Sequence, residues 1–148
     1  MLPPDDVAEH LDGLVHIDTQ RAATGIDLTV DRVYRTTAAG RLDFGGGEFA
    51  EASRDEIQPV RENPEDDYGW WTLEEGAYVV AFNESIHLDS DQSAVLRPLE
   101  RTMLAGARHP SFTLTDDRRP IHTLLVIPPA GCRLKENCRL TRVEIRAA

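Results

Sequence analysis

The stretch Thr24-Gly25-Ile26-Asp27-Leu28-Thr29-Val30-Asp31-Arg32-Val33-Tyr34 decides the fold. From Gly25 onward, apolar and polar residues alternate almost without a break. A period of two is the signature of a strand with one face against a core. Ahead of it, Pro4 to Leu14 reads as a short helix, capped by Asp5 or Asp6. Val7, Leu11 and Leu14 share one face of that helix at i, i+4 and i+7. Beyond the strand, Gly40 and Gly45-Gly46-Gly47 mark turns. Residues 51–69 are acidic, carry Pro59 and Pro64, and read as a surface loop with one short edge strand.

The rest of the chain continues in strands. Trp70-Trp71-Thr72-Leu73 opens an apolar run, and Glu74-Glu75-Gly76 turns into the buried strand Ala77–Phe82. Ile86-His87-Leu88 and Ser93–Leu96 carry the pattern on, and Glu100–Ala107 reads as a helical turn or an irregular loop. Thr123–Ile127, stopped by Pro128-Pro129, is the strongest candidate for a central strand, and Leu140–Ile145 is a last alternating one. Many short strands with a single small helix predict a β-sandwich or barrel in one domain, 1–148, with a helical N-terminal segment over 1–20. Alternating βαβ units and a glycine-rich phosphate loop before a helix are both absent.

Composition narrows the partners. A chain of 148 residues buries roughly 70% of its unfolded surface, enough for a core without disulfides or metal. Asp plus Glu number 26 against 16 Lys plus Arg, a formal charge of −10. Lys135 is the single lysine. Acidic excess with arginine in place of lysine suits a protein working in concentrated salt, where screening relieves self-repulsion. A GC-rich genome, which favours arginine codons, is the plainer reading. Either way, duplex nucleic acid and anionic membrane are poor partners, because neutralising phosphates takes basic clusters. Arg118-Arg119 follows directly on Asp116-Asp117. Cys132 and Cys138 have no second ligand pair for a metal knuckle and read as free thiols of a reducing compartment. Neither a membrane-length apolar run nor a signal peptide is visible, so the cytoplasm is expected.

Three blocks in order resemble the dUTPase and dCTP deaminase superfamily. Thr24-Gly25-Ile26-Asp27-Leu28-Thr29-Val30 is similar to the Gly-apolar-Asp-Leu strand of its first motif. Leu73–Val80 with Glu84–Leu88 resembles the strand leading to the second motif. Asn137-Cys138-Arg139-Leu140-Thr141-Arg142-Val143 stands where the fourth motif reads Gly-x-Arg-apolar-Ala-Gln-apolar. The resemblance implies a distorted β-barrel of the dUTPase-like, β-clip type, assembled as a homotrimer. It further implies an inter-subunit site for a deoxynucleoside triphosphate with Mg2+. Phosphoryl chemistry there needs a metal, cationic clamps and a carboxylate that activates water.

Residue by residue, the expected site is depleted. The second motif normally supplies an arginine and hydroxyls to grip phosphate oxygens. Read straight across from Pro98, Leu99 and Glu100 stand in their place. A shift of two residues restores a grip from Arg101 and Thr102. Asp116 or Asp117 stands for the water-activating aspartate of the third motif, without the Gly-aromatic-x-Gly of the sugar-binding hairpin. The alternative there is a plain polar turn between Leu114 and Ile121. In the fourth motif, Asn137 replaces glycine, Arg142 replaces glutamine, and Arg139 survives as a phosphate or carboxylate partner. Asp27 survives as a metal-supporting or purely structural carboxylate.

The five histidines, at 10, 16, 87, 109 and 122, show no metal-ligand spacing. His87 reads as an ordinary strand residue, while His109 and His122 flank the degenerate third motif. Loss of several cooperating groups favours a nucleotide-pocket relic with weak or lost catalysis. The alternatives are an active Mg2+-dependent pyrophosphohydrolase or dCTP deaminase, using Asp27, Arg101 and Asp116 or Asp117, and a purely structural trimer.

Overall fold

A computed structural model describes residues 1–147. In chain order the elements are α1 (Pro4–Glu9), β1 (Leu11–Asp12), α2 (Ile17–Gln20), β2 (Ile26–Ala38), β3 (Ser53–Ile57), β4 (Trp70–Leu73) and β5 (Gly76–Phe82). After them come β6 (Ser85–Ile86), β7 (Gln92–Pro98), α3 (Glu100–Leu104), β8 (Phe112–Leu114), β9 (His122–Ile127), β10 (Cys132–Lys135) and β11 (Arg139–Ala147). The mainly-β expectation holds, and the architecture is a curled half-barrel with three short helices. Its main sheet runs β8-β7-β11-β2-β5-β9, with β3 also on β2. Two small ribbons, β1 with β6 and β4 with β10, close the ends.

Strand β2 organises this sheet. Its first half pairs with β11 through Ile26–Thr29, and its second half pairs with β5 and β3. The inward row Ile26, Leu28, Val30 and Val33 is wholly buried against Val80, Phe82, Leu96, Leu125 and Ile145. Polar tips of large core side chains are satisfied. Tyr78 donates to the Glu74 carbonyl at 2.7 Å and Trp71 to that of Ile57 at 2.9 Å. Among the described residues, no helix is long and apolar enough to cross a membrane.

Several expectations need correcting. The N-terminal helix stops at Glu9, with Pro3 as its N-cap and Pro4 in the first turn, where its missing N–H costs nothing. Leu11 leaves that helix to pair with Ile86, α2 is a further short helix within the N-terminal segment, and α3 falls on Glu100–Ala107 as a helical turn, one of the two readings of that stretch. Strand β9 is the end of the main sheet, not its centre: Leu124 is exposed while Thr123, Leu125 and Ile127 face the core. The central place belongs to β11, flanked by β7 and β2 and buried on both faces from Val143 to Ile145. His87 lies just beyond β6 with its side chain in solvent, stacked on His10. Within residues 51–69, β3 is a short, mostly exposed strand paired with β2.

Candidate functional site

Backbone packing explains the glycine of Gly25-Ile26-Asp27-Leu28. A Cβ at Gly25 would lie 2.1 Å from the Val143 carbonyl oxygen, so β11 can approach β2 this closely only over a glycine. At the other end of the β2–β11 contact, Asn137 has φ 65, in the left-handed region that favours glycine and tolerates asparagine. Its side chain accepts from Asn83 at 2.8 Å, and its backbone N–H donates to the Val30 carbonyl. The glycine-to-asparagine change therefore keeps the turn into β11.

A buried carboxylate fixes the wall of the site. Glu84, fully buried, accepts from the Thr29 N–H at 2.8 Å, the Thr29 hydroxyl at 2.6 Å and the Gln20 amide at 2.9 Å. Gln20 also donates to the Asp27 carbonyl and accepts from the N–H groups of Val15 and His16. Glu84 thus ties α2 to β2, and Gln20, which it anchors, holds the Asp27 carbonyl. Desolvation pushes its carboxyl pKa up against those stabilising hydrogen bonds.

The register then builds a charged row. Arg142 on β11 lies directly opposite Asp27 on β2 and Arg97 on β7. Cross-strand partners share a face, so Asp27, Arg142 and Arg97 run side by side across three strands. Arg142 Nε donates to Asp27 Oδ1 at 2.8 Å, and Arg139 Nη1 donates to Oδ2 at 3.2 Å. Glu144, two residues along β11, is buried. Its Oε1 is 3.6 Å from the Arg97 guanidinium, too long for a hydrogen bond, and lacks any hydrogen-bond partner. These residues line a hollow of about 530 Å³ with Glu100 and Arg101 from α3. A neighbouring hollow of about 550 Å³ shares Arg101 and Arg139 and is faced by Trp70, on whose ring Arg133 and Lys135 lie. The row with its interlocked carboxylates and guanidiniums marks the first hollow as the site, since it contains Asp27 itself.

The residues singled out in the sequence divide into two groups. Asp27, Arg101, Thr102 and Arg139 come together. Of the Arg101-Thr102 pair, only the arginine faces the hollow. The Thr102 hydroxyl is buried and donates to the Leu140 carbonyl at 2.6 Å. Asp116 and Asp117 lie elsewhere, in the turn beyond β8. Asp117 accepts from the Leu88 N–H at 2.9 Å and approaches His87, which together hold its carboxyl below the usual range. Asp116 is paired with Arg118. Strand β7 leads away from that corner to α3, so in one chain these aspartates do not face Arg101. His109 is buried with Nε2 unpartnered, while His122 is exposed on β9. Both cysteines are free thiols, and burial pushes Cys138 up to about 11.

Sequence reasoning missed Arg97, Glu144 and the Gln20–Thr29–Glu84 knot. A signal existed for Glu144, a carboxylate inside the apolar run Leu140–Ile145. Its partner was hidden, because the register of β11 on β7 is not written locally. The identity of Arg142 as the cation standing on Asp27 was hidden for the same reason.

Magnesium does not fit Asp27 as the chain holds it. Both carboxylate oxygens already accept from guanidiniums, and a dication there would face two fixed positive charges. Among the described residues, no three His, Cys, Asp or Glu side chains gather into a metal group.

This fold is a dUTPase-like half-barrel, and comparison with known proteins agrees. No family model matches the chain. It is 27% identical over 135 residues to a probable deoxyuridine 5'-triphosphate nucleotidohydrolase of Methanosarcina mazei, covering 90% of this chain and 75% of that protein. A protein of the same name from Archaeoglobus fulgidus is 33% identical over 93 residues, 63% of this chain and 51% of that one. The fold matches the 2'-deoxycytidine 5'-triphosphate deaminase of Agrobacterium tumefaciens with a TM-score of 0.66 at 17% identity. That match covers 95% of this chain and 43% of the deaminase chain, so the protein spans less than half of that neighbour's length. The chain is related to the dUTPase and dCTP deaminase superfamily.

Proposed function

We propose that this protein binds a deoxynucleoside triphosphate at a pocket between the subunits of a homotrimer, with catalysis weak or lost. The observation that carries this reading is the ion pair of Arg142 with Asp27. It leaves a cluster of guanidiniums suited to phosphate oxygens but removes the carboxylate that a metal-assisted hydrolysis would need. The separation of Asp116 and Asp117 from Arg101 supports an inter-subunit site, since a neighbouring copy must supply whatever carboxylate faces the phosphates. The acidic surface, at a formal −10, suits a cytoplasm of high salt.

The test is a panel of deoxynucleotides with purified protein and Mg2+ in molar salt. Melting temperature and products are followed together. A saturable rise in Tm without product is expected, as binding to the native state requires. Release of pyrophosphate from dUTP, or deamination of dCTP, would overturn the loss of catalysis. One observation favours that second reading: Asp117 is held ionised by the Leu88 N–H and His87, the charge state of a water-activating base. Elution as a monomer would remove the inter-subunit pocket.

A further inference from the structure

We infer that the hollow between β7, α3 and β11 binds a polyphosphate chain on its guanidiniums without a divalent cation, Arg142 standing at Asp27 where a cation would. The inference rests on the nucleotide-pocket reading and deepens it to the mode of anion capture. Four guanidiniums, those of Arg97, Arg101, Arg139 and Arg142, line this hollow against the carboxylates of Asp27, Glu100 and Glu144.

The arginines are set for anion capture in different ways. Arg142 and Arg139 use one donor each on Asp27, at 2.8 and 3.2 Å. A guanidinium has five N–H donors in a fixed fork, so both keep donors for a second acceptor. Arg97 is only loosely held, at 3.6 Å from Glu144, and half its side chain is in solvent. Arg101, on α3, lines the hollow with no side-chain partner among the described residues. The nearest fixed negative charge, Asp27, is thus cancelled from two sides before a ligand arrives. A polyphosphate meets positive charge without a bridging metal. Glu100 and Glu144 in the same lining oppose this. They limit the affinity and favour an extended anion reaching Arg101 and Arg142 together.

The test is calorimetric titration of inorganic tripolyphosphate into the full-length protein, once with chelator and once with Mg2+, at one fixed salt concentration. The expected result is saturable binding in chelator at least as tight as in Mg2+. Arg142→Gln should weaken binding in chelator by about tenfold or more, the scale of one charge-assisted hydrogen bond. Because Arg142 also supports the fold, Arg101→Gln provides the control. It should weaken binding while leaving Tm unchanged. Binding tenfold tighter with Mg2+, heats absent in both conditions, or affinity unchanged in both variants would each overturn the inference. The same titration with dUTP and dCTP separates this from the broader reading. Deoxynucleotide binding only with Mg2+ sinks the metal-free site alone. Tripolyphosphate binding without deoxynucleotide binding sinks the nucleotide reading alone.

Discussion

Arg142 Nε lies 2.8 Å from Asp27 Oδ1, and the two residues are directly paired across antiparallel β11 and β2. Backbone register therefore sets this ion pair as firmly as charge does. The Asp27 side chain is only 3% exposed, and its two oxygens accept from Arg142 and Arg139. Arg142→Ala should cost about 3 kcal/mol, the lower end for breaking a buried pair, because Arg139 stays in place. Urea denaturation at constant pH measures it. Asp27→Asn should cost less, since an amide leaves no unpaired buried charge.

Gly25→Ala should be among the most damaging small substitutions in the chain. The added methyl would meet the Val143 carbonyl oxygen at 2.1 Å, and neither partner is a flexible side-chain end. Overpacking of this kind costs about 3 kcal/mol or more when backbone has to move. Gly45→Ala is the contrasting control, because nothing lies within 4 Å of a Cβ there. It should change stability by less than about 0.5 kcal/mol. Thermal unfolding of both variants beside the parent checks the difference.

Much of the fold was legible because the alternation along β2 marks a strand in its own sequence, although it predicts one buried face where residues 26–30 are buried on both, Asp27 and Thr29 included. Val30 and Val33 both face the core although they are three apart, because the register shifts between Val30 and Arg32, which the alternation does not announce. The placing of β9 and β11 was not legible. Thr123–Ile127 is the more apolar run, yet it ends the sheet. Leu140–Ile145 contains Thr141, Arg142 and Glu144 and nevertheless runs through the middle. The sequence pattern reports hydrophobicity per residue, whereas centrality depends on which strands pair on both edges. At the candidate site, Asp27, Arg101 and Arg139 were singled out from local pattern and resemblance, and the fold brings them to one hollow. Their arrangement with Arg97, Arg142 and Glu144 comes from strand register over long separations, which no local signal encodes.

Glu84→Ala should destabilise by about 3 kcal/mol or more, because it strands the buried Thr29 N–H and Gln20 amide together. Glu84→Gln tests the charge separately. The folded carboxyl titrates above its ordinary 4.5, owing chiefly to desolvation. Falling pH therefore protonates the folded state before the unfolded one. This group's contribution is complete below 4.5 and is lost as pH rises through the folded pKa. Denaturation midpoints between neutral and mildly acid pH should show this rise in the parent and not in Glu84→Gln. An identical pH dependence in both proteins would remove Glu84 as its source.

His109 should act with the opposite sign. Burial lowers its pKa below the ordinary 6.5, against the pull of the Pro110 carbonyl, 2.9 Å from Nδ1, and of the Leu140 carbonyl. Protonation would place a charge beside an Nε2 that has no hydrogen-bond partner in the core. Below pH 6.5 the unfolded chain takes up a proton that the folded chain refuses, so the unfolded state gains. The His109 contribution is fully present above 6.5 and is lost as pH falls to the folded pKa. His109→Phe keeps an aromatic ring there, somewhat larger, without a titrating group. Its Tm should fall less than that of the parent as pH drops below 6.5, once compared at equal salt. Parallel pH profiles for the two proteins would show that His109 protonates freely, and that its burial does not hold the imidazole neutral.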